Sequence, residues 1–258
     1  MTSQRDLIKR EILDVFEKNV KGKVPDLSRF NKQHDGREGD WLTIQMGLKV
    51  NGKNEPDYKG FEMKTDSPKT TFGDWSPTTA IYKKPAKGAK SVLERDDFLK
   101  IFGNKHPDTE GRKAGRYSWC TPIFPNSQEF NSHGQIIKVD SSNNVIAYYF
   151  FSKDKRLNKL KVVPHDLQVE GLILAKWDAI NLKTKLEKKF NKLGWFKCLK
   201  DKSGKYEKVQ FGHPINFENF IKLVKTGDIF CDSGMYSQNS RPYMNWRANK
   251  NIWTSLAE

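Results

Sequence analysis

Along Asp6–Val20, DLIKREILDVFEKNV, the apolar residues Leu7, Ile8, Ile12, Val15 and Phe16 recur at the spacing of one helical face. Ser3 stands where an N-cap would sit, so the pattern predicts a packing helix. Gly36–Leu48, GREGDWLTIQMGL, predicts a second helix, which leads through the turn VNGKN to a strand over Tyr58–Thr65. Ile136–Phe151 reads as two apolar strands around an Asn143-Asn144 turn, and WFKCLK and YEKVQF read as another hairpin across Ser203-Gly204. Between the hairpins, Asp178–Leu193 carries Ile180, Leu182, Leu186, Phe190 and Leu193 and reads as an amphipathic helix. Asn216–Lys225 predicts a further helix, capped by Asn216 and stopped by Gly227. Helices and strands alternate irregularly and no internal repeat is present. The expected fold is α/β (α+β), a mixed central sheet flanked by helices.

The chain has 258 residues, enough for one large domain or two lobes with a substantial core. Its 36% hydrophobic and 12% aromatic content excludes a disordered chain. Charge changes the picture more: 46 Lys and Arg against 31 Asp and Glu give +15, which favours a polyanionic partner. From Lys153 to Lys208 there are 16 basic and 7 acidic residues, either a solvated face or a track for a phosphate backbone. The loops Lys83–Lys90 and His106–Gly115 read as surface connections, though such loops also wrap DNA. With no apolar run of transmembrane length, no lipidation motif and no signal-type start, the expectation is no membrane partner and a soluble, intracellular protein. Cys120, Cys198 and Cys231 lie far apart and the five histidines are scattered, so neither a disulfide framework nor a zinc site is expected.

The candidate chemistry lies in Pro56–Thr65, PDYKGFEMKT. On a strand, Glu62 and Lys64 face one side while Phe61 and Met63 face the other. Asp57, preceded by Pro56, can return beside Glu62 after the Tyr58-Lys59-Gly60 bend. Two converging carboxylates suit Mg2+, which favours carboxylate and phosphate oxygens, with Lys64 placed to orient or deprotonate a water. The plain alternative is a half-exposed strand with a solvated polar face, because so short a pattern also arises by chance in a lysine-rich chain.

The flanking residues sharpen this. The run DGREGDWLTIQMGLKVNGKNEPDYKGFEMKT, continued by KTTFGDW at Lys69–Trp75, resembles the catalytic region of the MvaI/BcnI family of type II restriction endonucleases, in the MutH-like branch of the PD-(D/E)xK nucleases. Ser233–Trp253, SGMYSQNSRPYMNWRANKNIW, resembles that family's DNA-reading tail. The resemblance implies a restriction-endonuclease-like domain over 1–258, with two lobes around a DNA cleft: 1–125 catalytic and 126–258 mainly for recognition. It implies Mg2+ on Asp57, Glu62 and the Met63 backbone carbonyl, with Lys64 as the catalytic lysine. It further implies a monomer cutting double-stranded DNA at a short CC/GG site, of CCNGG type by analogy, one strand at a time. A host methyltransferase would protect the genome without forming a stable complex. One position departs from the branch: after Gly36, Gly39 and Leu42, where MutH-like relatives commonly carry a further carboxylate, this chain has Thr43, with Glu38 and Asp40 as the nearest acids.

In the tail, Arg is suited to guanine and Asn to adenine, so Arg241, Asn245 and Arg247 are candidates for base readout. Tyr236, Ser237, Asn239 and Tyr243 are candidates for phosphate or base-edge contact, or else for turn and strand chemistry. Lys69, Thr70 and Thr71 offer donors to a phosphate, as do Arg116 and Ser118, for which a surface salt bridge is the competing role. Phe72, Trp75, Trp246 and Trp253 are expected in the core. A MutH-like nicking enzyme of mismatch repair and a non-catalytic basic DNA-binding protein are the competing readings.

Overall fold

The computed structural model describes residues 2–32, 36–83, 93–111, 113–120 and 123–258. The expected Lys83–Lys90 loop, apart from Lys83, and Arg112 lie outside them. In chain order the elements are α1 (Gln4–Asn19), α2 (Arg37–Gln45), β1 (Phe61–Thr65), β2 (Lys69–Asp74), β3 (Thr79–Ala80), α3 (Arg95–Phe102), β4 (Asn104–Lys105), β5 (Tyr117–Trp119), β6 (His133–Val139) and β7 (Val145–Asp154). Then come α4 (Lys159–Val162), β8 (Glu170–Trp177), α5 (Ala179–Phe190), β9 (Gly194–Lys200), β10 (Tyr206–Gly212), α6 (Phe217–Thr226), β11 (Ile229–Ser233), β12 (Met235–Tyr236), β13 (Met244–Asn249) and α7 (Lys250–Ser255). Among the described residues no helix is long and apolar enough to cross a membrane.

The chain divides into two compact units, each assembled from separated stretches. One holds residues 1–70, 184–217 and 249–258, the other 71–183 and 218–248.

The first unit is built on the mixed sheet β1-β9-β10, with β1 and β9 parallel and β9 and β10 antiparallel. One sheet face packs Phe61, Met63, Phe196, Cys198 and Tyr206 against Ile8, Ile12 and Phe16 of α1 and Trp41 and Leu42 of α2. Trp41 stacks on Tyr206 with ring centroids 5.8 Å apart. On the other face Trp195 meets Trp253 of α7 edge-to-face at 4.9 Å, and Phe190 of α5 closes in at 6.1 Å. The Trp253 indole N–H donates to the Thr70 carbonyl at 3.2 Å, which satisfies a polar group that burial would otherwise leave stranded.

Local chemistry explains the boundaries. The Ser3 hydroxyl accepts from the Asp6 N–H at 3.1 Å and caps α1 as the sequence predicts. The second helix stops short of the predicted Leu48 because Gly47 turns to φ +73, a left-handed conformation that ends helices. The α5 helix ends before the predicted Leu193 because the Leu193 N–H donates to the Gly60 carbonyl at 3.1 Å instead of continuing the helix.

In the second unit, the four-stranded sheet β3-β8-β7-β6 contains the predicted hairpin, with Asn143 at φ +61 in its turn. The strands β8, β11 and β13 were not anticipated from the sequence. The small sheets β11-β13-β2 and β12-β5-β4 complete this unit. Its aromatic core gathers Phe72, Trp75, Phe220, Trp177 and Trp246, with the Trp177 indole donating to the Trp75 carbonyl at 2.7 Å. Burial of Phe72, Trp75, Trp246 and Trp253 is therefore as expected.

Candidate active site and nucleic-acid interface

Tyr58 and Phe61 exchange both backbone hydrogen bonds, at 2.9 and 2.8 Å, across Lys59 at φ +44 and Gly60 at φ +102. Two positive φ angles in succession make a tight hairpin turn of the primed type, which a glycine at the second position accommodates readily. The turn folds Asp57 back along β1, and its Oδ2 accepts from the Met63 N–H at 3.0 Å. Because β1 is an edge strand, Phe61 and Met63 direct their backbone groups to its free edge while Glu62 and Lys64 bond toward β9. The Met63 carbonyl thus lies on the same edge as its N–H, on the Asp57 side of the strand.

Side chains alternate in the expected way. Phe61 and Met63 enter the core, and Glu62 and Lys64 turn to the α5 face, both buried. Glu62 Oε1 accepts from Lys64 Nζ at 2.6 Å and from a second cation, Lys189 Nζ of α5, at 3.0 Å. Lys64 Nζ also lies 5.2 Å from the centroid of the Phe190 ring. Burial pulls the Lys64 ammonium below the usual lysine range, against the Glu62 carboxylate, which raises it. Burial also raises Asp57 to about 6, with the neighbouring Glu62 charge adding to the effect and Lys64 opposing it.

These residues fit a divalent cation. Glu62 Oε2 is buried without a hydrogen-bond partner, and an ionised oxygen left so in the interior is costly unless a cation approaches it. Among the described residues no group of three or more His, Cys, Asp or Glu side chains forms a metal cage. Two carboxylates and one carbonyl leave the remaining positions of a Mg2+ shell to water and phosphate oxygens, which is how Mg2+ is ordinarily bound.

Glu38, near Thr43, does not complete the set. The Thr43 hydroxyl donates back to the Gly39 carbonyl at 2.7 Å. Glu38 is held by Lys200 at 2.8 Å and by the Tyr206 hydroxyl at 2.8 Å, beyond the end of β1. Sequence reasoning missed Lys189: nothing in an amphipathic, lysine-rich helix distinguishes the one ammonium that reaches a carboxylate on β1.

The DNA-contact candidates separate by environment. Lys69 is exposed, but Thr70 is buried, with its hydroxyl accepting from Lys197 Nζ at 3.3 Å. The Thr71 hydroxyl donates to the Trp246 carbonyl at 3.1 Å. In the second unit, Arg116, Ser118, Tyr236 and Ser237 come together where β5 pairs with β12. The Arg116 guanidinium lies 4.0 Å from the Tyr236 ring centroid and donates to the Ser118 hydroxyl at 3.3 Å. A pocket of 190 Å³ opens beside them. Asn239 is a buried turn residue whose side chain donates to the Gly234 carbonyl at 3.1 Å, so it serves the turn rather than an open surface. On β13, Met244, Trp246 and Ala248 point inward while Asn245 and Arg247 occupy the more open face, where Arg247 pairs with Asp232 at 3.1 Å. Arg241 is largely exposed and pairs with Asp74 at 3.2 Å, and the Tyr243 ring, also exposed, covers Gly234.

Residues 20–258 match the LlaMI restriction endonuclease family. The chain is 40% identical over 265 residues to the type II restriction enzyme ScrFI of Lactococcus lactis subsp. cremoris, with 96% of each chain covered. Its fold is similar to that of restriction endonuclease MvaI solved as a complex with its cognate DNA substrate, at a TM-score of 0.59 and 15% identity, covering all of this chain and 98% of the other.

Proposed function

The chain belongs to the LlaMI restriction endonuclease family and is a type II site-specific deoxyribonuclease, and from that premise we propose that Asp57, Glu62 and Lys64 form its Mg2+-dependent centre for hydrolysing DNA phosphodiesters. The observation that carries this reading is the buried, unpartnered Glu62 Oε2 beside Asp57. Asp57, Glu62 Oε2 and the Met63 carbonyl are the groups that would hold the ion. When bound, the ion polarises the phosphate and offsets charge that develops on the leaving oxygen. Lys64, anchored on Glu62 Oε1, directs its remaining N–H bonds to the attacking water or a phosphate oxygen.

DNA engagement is assigned to basic and polar side chains of the second unit. Arg116 with Ser118, Tyr236 and Ser237 is suited to phosphate contact, while Asn245 and Arg247, on one face of a strand, are suited to base edges. The target is a short CC/GG sequence of CCNGG type, cut by a monomer in the cytoplasm of a prokaryotic cell whose methyltransferase protects the host copy. The test is incubation of purified protein with unmethylated plasmid and Mg2+, with EDTA in parallel, followed by sequencing of the ends. Discrete metal-dependent fragments sharing one terminal sequence are expected, and Glu62→Gln should give none. Equal cutting by wild type and Glu62→Gln would remove the site assignment.

A further inference from the structure

Glu62 is gripped by two lysines from different parts of the chain. Lys64 is its neighbour on β1, whereas Lys189 arrives on the last turn of α5. The placement of Lys189 is built rather than incidental. Lys188 pairs with Glu55 at 3.0 Å, and the Asn54 side chain donates to the Lys185 carbonyl at 2.7 Å, so two contacts fasten α5 to the segment leading into Asp57. Phe190, the next residue, lies beside the Lys64 ammonium, and the Lys189 side chain is only 15% exposed. Both ammonium groups use Oε1, which leaves Oε2 as the oxygen open to another cation.

Charge makes this arrangement consequential. With all four groups ionised, Asp57 and Glu62 contribute two negative charges and Lys64 and Lys189 two positive ones, so the site is neutral. A neutral site attracts a dication weakly, while a phosphodiester brought into it adds a negative charge and restores the attraction. We infer that Lys189 is a positioning residue that orients Glu62 and balances the carboxylates, so that a divalent cation binds weakly until a DNA phosphate is present. The inference rests on the proposed metal site. By reciprocity, whatever factor DNA adds to metal affinity, metal adds to DNA affinity.

The experiment measures Ca2+ binding to the protein alone by titration calorimetry at pH 8, and DNA binding with and without Ca2+ on a duplex containing a mapped cleavage site. Lys189→Met keeps most of the apolar stem and removes the charge. A unit charge within about 6 Å of a dication in a water-like dielectric is worth roughly tenfold in affinity. Lys189→Met is therefore expected to bind Ca2+ about tenfold more tightly without DNA, while the Ca2+ enhancement of DNA binding, which comes from the attraction between the ion and the phosphate, stays close to wild type. Lys189→Arg should stay close to wild type, and Lys189→Gln should follow Lys189→Met. Misfolding cannot imitate a gain in affinity. Unchanged or weaker Ca2+ binding in both neutral variants would overturn the inference while leaving the metal site standing, provided Glu62→Gln abolishes binding. If Glu62→Gln binds Ca2+ like wild type, the metal-site reading itself fails, and the inference with it.

Discussion

Asp57→Asn should make the metal-free protein more stable while abolishing cleavage. Asp57 is partly buried beside Glu62, and its carboxyl is raised from 3.8 to about 6. At about 1.4 kcal/mol per pH unit, that difference corresponds to a penalty of about 3 kcal/mol for the ionised form in the folded state. The sign follows from proton counting. Between pH 3.8 and about 6 the folded protein holds the Asp57 proton more tightly than the unfolded chain, so stability falls as pH rises through this window and the penalty is complete above it. Asparagine is neutral and nearly isosteric, and its carbonyl oxygen can keep the bond from the Met63 N–H. The gain over wild type should therefore be absent near pH 4 and approach about 3 kcal/mol at pH 8, an upper bound of about 6–12 °C in Tm for a protein of this size. Thermal denaturation by circular dichroism in EDTA, at several pH values, reads it directly. Mg2+ should reverse the order, because a ligand that binds only the folded wild type stabilises it by mass action and has lost its site in the variant. An Asp57→Asn protein no more stable than wild type at pH 8, or one whose advantage persists unchanged at pH 4, would refute the electrostatic reasoning.

Lys64→Met should lower the single-turnover cleavage rate by about a thousandfold or more while leaving DNA affinity within about tenfold, measured by gel shift in Ca2+, since Lys64 acts at the reacting phosphate rather than in overall binding. Arg247→Ala should reduce discrimination against a site with one altered base pair by about 1–3 kcal/mol, seen in competition binding, and uniform weakening on all sequences would reassign it to phosphate contact. Trp253→Ala should destabilise the protein by about 3–5 kcal/mol in urea titration, because it removes a fully buried ring packed on Trp195 and Phe190.

Part of this site was legible in the chain because it is local. The bend at Lys59-Gly60, the alternation of Phe61, Glu62, Met63 and Lys64, and the return of Asp57 all occur within ten residues, where strand geometry and turn chemistry leave little freedom. The resemblance of the flanking runs to restriction endonucleases agrees with the family match. On β13 the alternation of Met244, Trp246 and Ala248 with polar residues was present in the sequence, yet its polar members drew attention as DNA readers before its period marked a strand. Asn239 looked like a reader for the same reason, and its buried bond to Gly234 identifies it as a turn residue.

By itself, then, the sequence determined the amphipathic helices, the hairpins and the succession of Asp57 before a tight bend and Glu62 and Lys64 on one side of the strand after it, since each follows from a period or a turn acting over a few residues. Only the tertiary structure decided that Lys189 shares Glu62 with Lys64, that Glu38 is occupied by Lys200 and Tyr206, and that each compact unit is assembled from interleaved stretches of chain. Those outcomes depend on which buried face closes on which, and a helical period states that a face is covered without stating what covers it.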